Sequence, residues 1–531
     1  MRIRRQTQVL MSMTASACLI AFLSGCGGGS GDDDATPVAS PGVSSLIVQT
    51  ESGTIEGSTN DITGTELSAD AFLGVPYASA PRWSAPEQAV SWEGVRDATT
   101  PGNECAPIRG GSEDCLNANI YRPAGTTSDA ALPVMIYIPG GANVSTSNHS
   151  SNGARLASTS GIVVVVINHR LGSFGFLNHP AISPAGDGGN FGIQDIKAAL
   201  EWTKRNIAAF GGDPGKVTLA GQSSGSTNTC RALVDPGFSG LFHAAFISSE
   251  DCIRDVDTVE QSQARAIDFA ARVGCEDVAT AATCLRSKTT EELAAAGGAW
   301  NPVAHIPAVD EIATGAWNKV PVMLGATRWE GRSAGRAFTS FTEQNYKDWL
   351  TRLVGPTNQP MVLAAYPPDK YTGEFAIPYV MGDVITDSGM RGLGGSSNIQ
   401  LAKIFAHQTP TYFYQFEDPN GSGPPAANGY QNLASHGADP KFWFGELSDA
   451  FTPDQQNLSY DMLRYRGAFV KNHNPAVPGL ADWPEMGSAD GDFMSFIPGA
   501  GATKVQPVSV AEERHNFNLW SSIPAVLDRG E

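Results

Sequence analysis

The pentapeptide Gly221-Gln222-Ser223-Ser224-Gly225 holds a serine between two glycines. It follows a β-branched run, Lys216 to Ala220, and precedes a helix-compatible run, Ser226 to Leu233. A turn this tight between strand and helix lifts the Ser223 hydroxyl above a sheet edge, where it can attack a substrate. A serine hydroxyl is a poor nucleophile until a base takes its proton. In strand–turn–serine–turn–helix enzymes the acid and then the base follow in the chain, so a histidine late in the sequence is required. His407 precedes the run Pro410–Phe416 and reads as helical. His473 stands before Asn-Pro at a helix end, and His515 reads as part of the terminal helix. His436 lies in a glycine- and alanine-rich loop after Pro410–Phe416, where a catalytic loop belongs. For the acid, Glu330 comes three residues after the run Pro321–Thr327, and Asp310, which precedes that run, is its rival. An acyl-transfer transition state also needs fixed N–H donors for an oxyanion. Gly140 and Gly141, in Pro139-Gly140-Gly141-Ala142 after the run Leu132–Ile138, can supply two, and the N–H of Ser224 a third.

These residues need a rigid scaffold, and the hydrophobic pattern describes one. Leu132–Ile138, Ile162–Asn168, Lys216–Ala220, His243–Ser248, Pro321–Ala326 and Pro410–Phe416 read as buried parallel strands. Phe191 to Ala209 reads as a helix, with Ile193, Ile196, Leu200, Thr203 and Ile207 near one face. It stops at the breaker cluster Gly211-Gly212-Asp213-Pro214. Strands alternating with helices predict a mostly parallel sheet covered on both faces, with ligand sites at the carboxyl ends of its strands.

The chain start belongs to export rather than to the fold. Arg2, Arg4 and Arg5 precede an apolar stretch from Val9 to Leu23, too short to span a bilayer comfortably. It ends in Leu23-Ser24-Gly25-Cys26, which resembles the lipobox of bacterial lipoproteins, with Cys26 as lipid acceptor. The run Gly27 to Asp34 reads as the start of a flexible tether that extends to about Ser45. An ordinary secretory signal cut elsewhere is the alternative. The expected organisation is a signal peptide over 1–25, a tether over 26–45 and one catalytic domain over 46–531. The expected location is a bacterial membrane, periplasmic or at the cell surface, through a lipid anchor.

Removing the first 25 residues takes away three arginines and no acid, so the net charge moves from −19 to −22. A surface this acidic argues against nucleic acid as a partner. Of eight cysteines, Cys18 goes with the signal and Cys26 takes the lipid. The other six form an even set, which in an exported protein reads as disulfides. The close pairs Cys105/Cys115 and Cys275/Cys284 are the first expectation, and Cys230 with Cys252 follows by elimination. A zinc site is the alternative, with no Cys-x-x-Cys or adjacent histidine behind it. No cofactor and no metal is expected.

Several stretches resemble the type-B carboxylesterase/lipase family over about Ala71 to Trp520. They are Ala71-Phe-Leu-Gly-Val-Pro-Tyr-Ala78, Ser112-Glu-Asp-Cys-Leu116, Asn168-His-Arg-Leu-Gly-Ser-Phe-Gly-Phe176, Gly189-Asn-Phe-Gly192 and the block Ala199 to Thr218. The resemblance implies an α/β-hydrolase fold, with loop and helical insertions over the site. It implies hydrolysis of small-molecule carboxylic esters through an acyl-enzyme, with Ser223 as nucleophile, Glu330 (in Trp329-Glu330-Gly331) as acid and His436 (in His436-Gly-Ala-Asp439) as base. It also implies the disulfides Cys105–Cys115 and Cys275–Cys284. The departures surround the pocket. Gln222 stands where the family has Glu, and Ser224-Gly225-Ser226 where it favours Ala-Gly-Gly. Pro139 and Ala142 replace the first His and last Gly of its His-Gly-Gly-Gly segment, and Trp329 replaces Asp. The loop between Cys105 and Cys115 carries no Trp, which argues against cholinesterase activity. Two other functions compete: a non-catalytic binding module, as in family members that lost the serine, and an amide or lactone hydrolase. Oligomeric state is not legible.

Overall fold

The computed structural model describes residues 46–523 except 184–187, 251, 253–256, 305–306, 391–392, 447–449 and 488–490. The expected signal peptide, tether and Cys26 lie outside the described residues.

An eleven-stranded sheet organises the chain. In chain order its strands are β1 (Ser58–Asp61), β2 (Ser68–Pro76), β3 (Asn117–Pro123), β4 (Leu132–Ile138), β5 (Val163–Ile167), β6 (Gly212–Gln222), β7 (Ala244–Ser248), β8 (Val322–Thr327), β9 (Thr411–Phe416), β10 (Asp492–Phe496) and β11 (Lys504–Pro507). Their spatial order is β1-β2-β3-β5-β4-β6-β7-β8-β9-β10-β11. The seven strands from β5 to β10 pair in parallel, and the strands at both edges pair antiparallel. All six strands read from sequence belong to the parallel part, with bounds shifted by a few residues. The antiparallel strands and the parallel β10 escaped the sequence reading: Ser58–Asp61 is short and mostly exposed, and Asn117–Pro123, though buried, carries Asn117, Asn119 and Arg122 in place of a continuous apolar run.

Strand alternation divides the core between the two faces. Val134, Ile136 and Ile138 of β4 pack on one side with Val217 and Leu219 of β6, while Met135 and Tyr137 pack on the other. Helix α1 (Phe191–Asn206) buries Ile193, Ile196, Leu200 and Trp202 against the first face. Helix α3 (Pro453–Asn472) buries Leu458, Met462, Leu463 and Phe469 against the second. The helix read to Ala209 is α-helical only to Asn206 and tightens into a 3-10 turn, Ile207–Phe210. The helical segment stops at the breaker cluster as expected, with Gly211 as its left-handed cap (φ 81°), and Gly212 to Pro214 open β6, with a register shift between Gly212 and Val217.

After β4 the chain crosses to β5 on one side and then returns to β6 on the other. That reversal opens a crevice at the carboxyl ends of β4 and β6, the place where open α/β sheets bind ligands.

Candidate active site

Ser223 occupies the turn between β6 and helix α2 (Ser224–Val234) with φ 52° and ψ −129°, a conformation sparsely populated by L-residues. The turn closes because two glycines let backbone meet backbone. A Cβ on Gly225 would lie 2.0 Å from the Ile138 carbonyl oxygen, and one on Gly221 2.2 Å from that of Gly225. Ser223 N–H donates to the Ser248 carbonyl at the end of β7 (2.9 Å), which fixes the elbow to the sheet.

The structure brings Ser223, His436 and Glu330 into one hydrogen-bonded line. His436 Nε2 lies 2.8 Å from Ser223 Oγ and its Nδ1 2.6 Å from Glu330 Oε2. Glu330 is fully buried, and its Oε1 accepts from Ser249 Oγ and from Thr327 N–H, each at 2.7 Å. Burial raises the Glu330 pKa, but the charge and hydrogen bond of His436 and the two further donors outweigh it, so the carboxyl titrates below its ordinary range. Burial pushes the His436 pKa down, while Glu330, and at longer range Asp439, hold it above the ordinary histidine value. The loops of Glu330 and His436 are tied directly, since His436 N–H donates to the Glu330 carbonyl (3.0 Å) and Trp329 N–H to that of Ala434 (3.1 Å).

The alternatives lie elsewhere. Asp310 is exposed on the helix Ala308–Thr314. His407 and His473 cap helix ends. His515, expected within the terminal helix, instead follows Val508–Arg514 as its cap and pairs with Asp387 at 2.6 Å.

Gly140 and Gly141 follow β4 beside the elbow. A Cβ on Gly140 would lie 2.4 Å from Gln222 Oε1 and 2.9 Å from Ser223 Cβ, so only glycine lets this loop approach so closely. Among the described residues the N–H groups of Gly140, Gly141 and Ser224 donate to no acceptor, and neither does that of Ala142. The Ser224 N–H also stands at the first turn of α2, where the helix dipole favours negative charge.

Four residues escaped the sequence reading. Ser249 and Thr327 fix the Glu330 carboxylate, as described. Asp439 is buried three residues beyond the histidine, and its Oδ2 accepts from Ser248 Oγ (3.0 Å), Tyr414 OH (2.9 Å) and Trp443 Nε1 (3.0 Å). Ser248 therefore links the elbow to the histidine loop. All but Asp439 sit at carboxyl ends of strands, which is the signal that could have found them.

All six remaining cysteines are bonded, as Cys105–Cys115, Cys230–Cys252 and Cys275–Cys284, which removes the zinc alternative. Cys230–Cys252 ties α2 to the segment that carries Ser249.

Residues 44–508 match the profile of the Carboxylesterase family. The chain belongs to the carboxylesterase family. It is 29% identical over 513 residues to a human protein named cocaine esterase, covering 86% of this chain and 87% of that one. It is 31% identical over 492 residues to a medium-chain fatty acyl-CoA hydrolase precursor of Anas platyrhynchos, covering 82% and 86%. It is also 29% identical to a fumonisin B1 esterase of Sphingopyxis macrogoltabida, covering 85% and 86%. A solved PNB esterase superimposes with a TM-score of 0.72 at 27% identity, over 89% of this chain and all of the other. This carboxylesterase thus has the α/β-hydrolase fold and hydrolyses carboxylic esters.

Proposed function

We propose that Ser223 is the nucleophile, His436 the general base and acid, and Glu330 the acid that orients the imidazole. The observation that carries this reading is the unbroken line from Ser223 Oγ through His436 to Glu330, at 2.8 and 2.6 Å. Ser223 Oγ attacks the ester carbonyl carbon while its proton passes to His436 Nε2. The Glu330 carboxylate stabilises the resulting imidazolium and holds its Nδ1 proton. The N–H groups of Ser224 and of the Gly140–Ala142 loop receive the oxyanion. The tetrahedral adduct collapses as His436 protonates the departing alcohol, which leaves an acyl group on Ser223. Water then attacks the acyl carbon, gives its proton to His436, and the carboxylic acid leaves as the serine is reprotonated.

The named relatives are esterases of cocaine and of fumonisin B1 and a hydrolase of fatty acyl-CoA, by their names. The proposed substrate class is accordingly a small carboxylic ester, and p-nitrophenyl, feruloyl and polyester substrates sort its acyl and alcohol parts. Ser223→Ala and His436→Ala should each lower kcat by several orders of magnitude with folding intact. Near wild-type turnover in either would refute the assignment. A fluorophosphonate probe separates this reading from a non-catalytic module, which it would not label.

The proposal includes export and a lipid anchor at Cys26 in a bacterial envelope. The basic start, the apolar stretch and Leu23-Ser24-Gly25-Cys26 support it. So do three disulfides, which persist in oxidising compartments.

A further inference from the structure

The loop after β4 holds two consecutive non-glycine residues in the left-handed region, Ala142 (φ 53°) and Asn143 (φ 56°). Alanine avoids this conformation whereas asparagine tolerates it, so Ala142 holds it only where the surroundings over-determine it. Asn143 is 2% exposed and is gripped on three sides. Its N–H donates to Ser224 Oγ (3.1 Å), its carbonyl accepts from Gly172 N–H (2.6 Å), and its Oδ1 accepts from Asn228 Nδ2 (3.0 Å). Asn228 Nδ2 also lies 3.3 Å from His169 Nε2, so one amide group has two acceptors when the His169 proton is on Nδ1. Burial pushes the His169 pKa down to about 4, which keeps the ring neutral and able to accept. Asn228 is fully buried and stands on α2, the helix whose first N–H is that of Ser224. The two halves of the proposed oxyanion site are therefore tied by side chains of the helix that carries one of them.

We infer that Ser224 Oγ and Asn228 Nδ2 are positioning groups, which hold Ala142 and Asn143 left-handed and so preset the spacing between the N–H groups of the Gly140–Ala142 loop and that of Ser224. This rests on the reading of Ser223 as nucleophile. A preset donor array favours the transition state over the bound ester. Its loss therefore falls on kcat more than on KM.

Asn228→Ala removes the donor without disfavouring the helix. Ser224→Ala removes the acceptor of the Asn143 N–H and keeps the Ser224 N–H. In each variant, kcat per site titratable by fluorophosphonate should fall by about tenfold or more, with KM within about twofold. Affinity for an aryl trifluoromethyl ketone, which forms a tetrahedral adduct, should weaken by a factor close to the loss in kcat/KM. A role in packing alone would lower Tm and the titratable fraction, and leave per-site kcat and ketone affinity at wild-type values. That result overturns the inference. If Asn228→Ala does not fold, Ser224→Ala decides the matter by the same readouts. Ser223→Ala run alongside separates the two claims. Full turnover there overturns the nucleophile and the inference together, whereas its inactivity beside unchanged Asn228→Ala and Ser224→Ala overturns the inference alone.

Discussion

Glu330→Gln should damage this enzyme through the tautomer of its histidine as well as through charge. Glu330 Oε1 receives two donors, Ser249 Oγ and Thr327 N–H, and Oε2 faces His436 Nδ1. An amide has one acceptor end. If its oxygen takes the two donors, its NH2 faces Nδ1, which must then accept, and the imidazole proton moves to Nε2. The ring then donates toward Ser223 Oγ and cannot take its proton. Turning the amide restores the tautomer but sets its NH2 against the Ser249 hydroxyl, which can rotate to accept, and against the Thr327 N–H, which cannot. Leaving that one buried donor unpaired costs about 1–3 kcal/mol. At about 1.4 kcal/mol per tenfold, that is a factor of roughly 5 to 150 in rate, before the lost stabilisation of the imidazolium is counted. Steady-state kinetics on a p-nitrophenyl ester should show kcat lower by about 10³ or more, with KM little changed. A loss in Glu330→Gln of less than about tenfold would refute the tautomer reasoning. A damaging Asp310→Asn beside a harmless Glu330→Gln would move the acid role to Asp310.

His436 must be neutral to act as base, and its pKa is raised, so the acidic limb of the kcat/KM profile should lie above the ordinary histidine value, with activity lost as pH falls through it. Gln222 is buried beside Ser223 and its Nε2 has no partner among the described residues. Gln222→Glu adds negative charge there, which favours imidazolium. The limb should move to higher pH and a quaternary-ammonium ester should gain over a neutral ester of equal size, whereas superimposable profiles would leave Gln222 a spacer. Cys26→Ser should release the enzyme from the membrane fraction with esterase activity intact, and unchanged membrane association would rule out the lipid anchor at that residue.

The parallel core was legible because its strands are continuous apolar runs, as in Val163–Ile167, where all five residues are buried. The edge strands were not, because Ser58–Asp61 is held by its neighbour β2 and not by its own hydrophobicity. Ser223 announced itself through two glycines whose need is local. Glu330 and His436 could be chosen by their places after strands, since the sheet determines what lies at its carboxyl edge. The supporting residues were hidden for a physical reason. Ser249, Asp439 and Asn228 are ordinary polar residues in sequence, and they acquire roles only when chain segments 81 to 191 residues apart meet. The left-handed pair Ala142 and Asn143 was hidden too, since Ala gives no sign of that conformation and Asn, though tolerant of it, is common in other conformations.

The central claim, an acyl-enzyme on Ser223, is open to direct observation. Rapid mixing with a p-nitrophenyl ester, acid quenching and mass spectrometry of the peptide that spans Gly221 to Gly225 should find the acyl mass on Ser223. It should form in a burst of p-nitrophenolate at one equivalent per active site, and be absent from Ser223→Ala. An acyl group on another residue, or full turnover with no covalent species in quenched samples, would contradict the account.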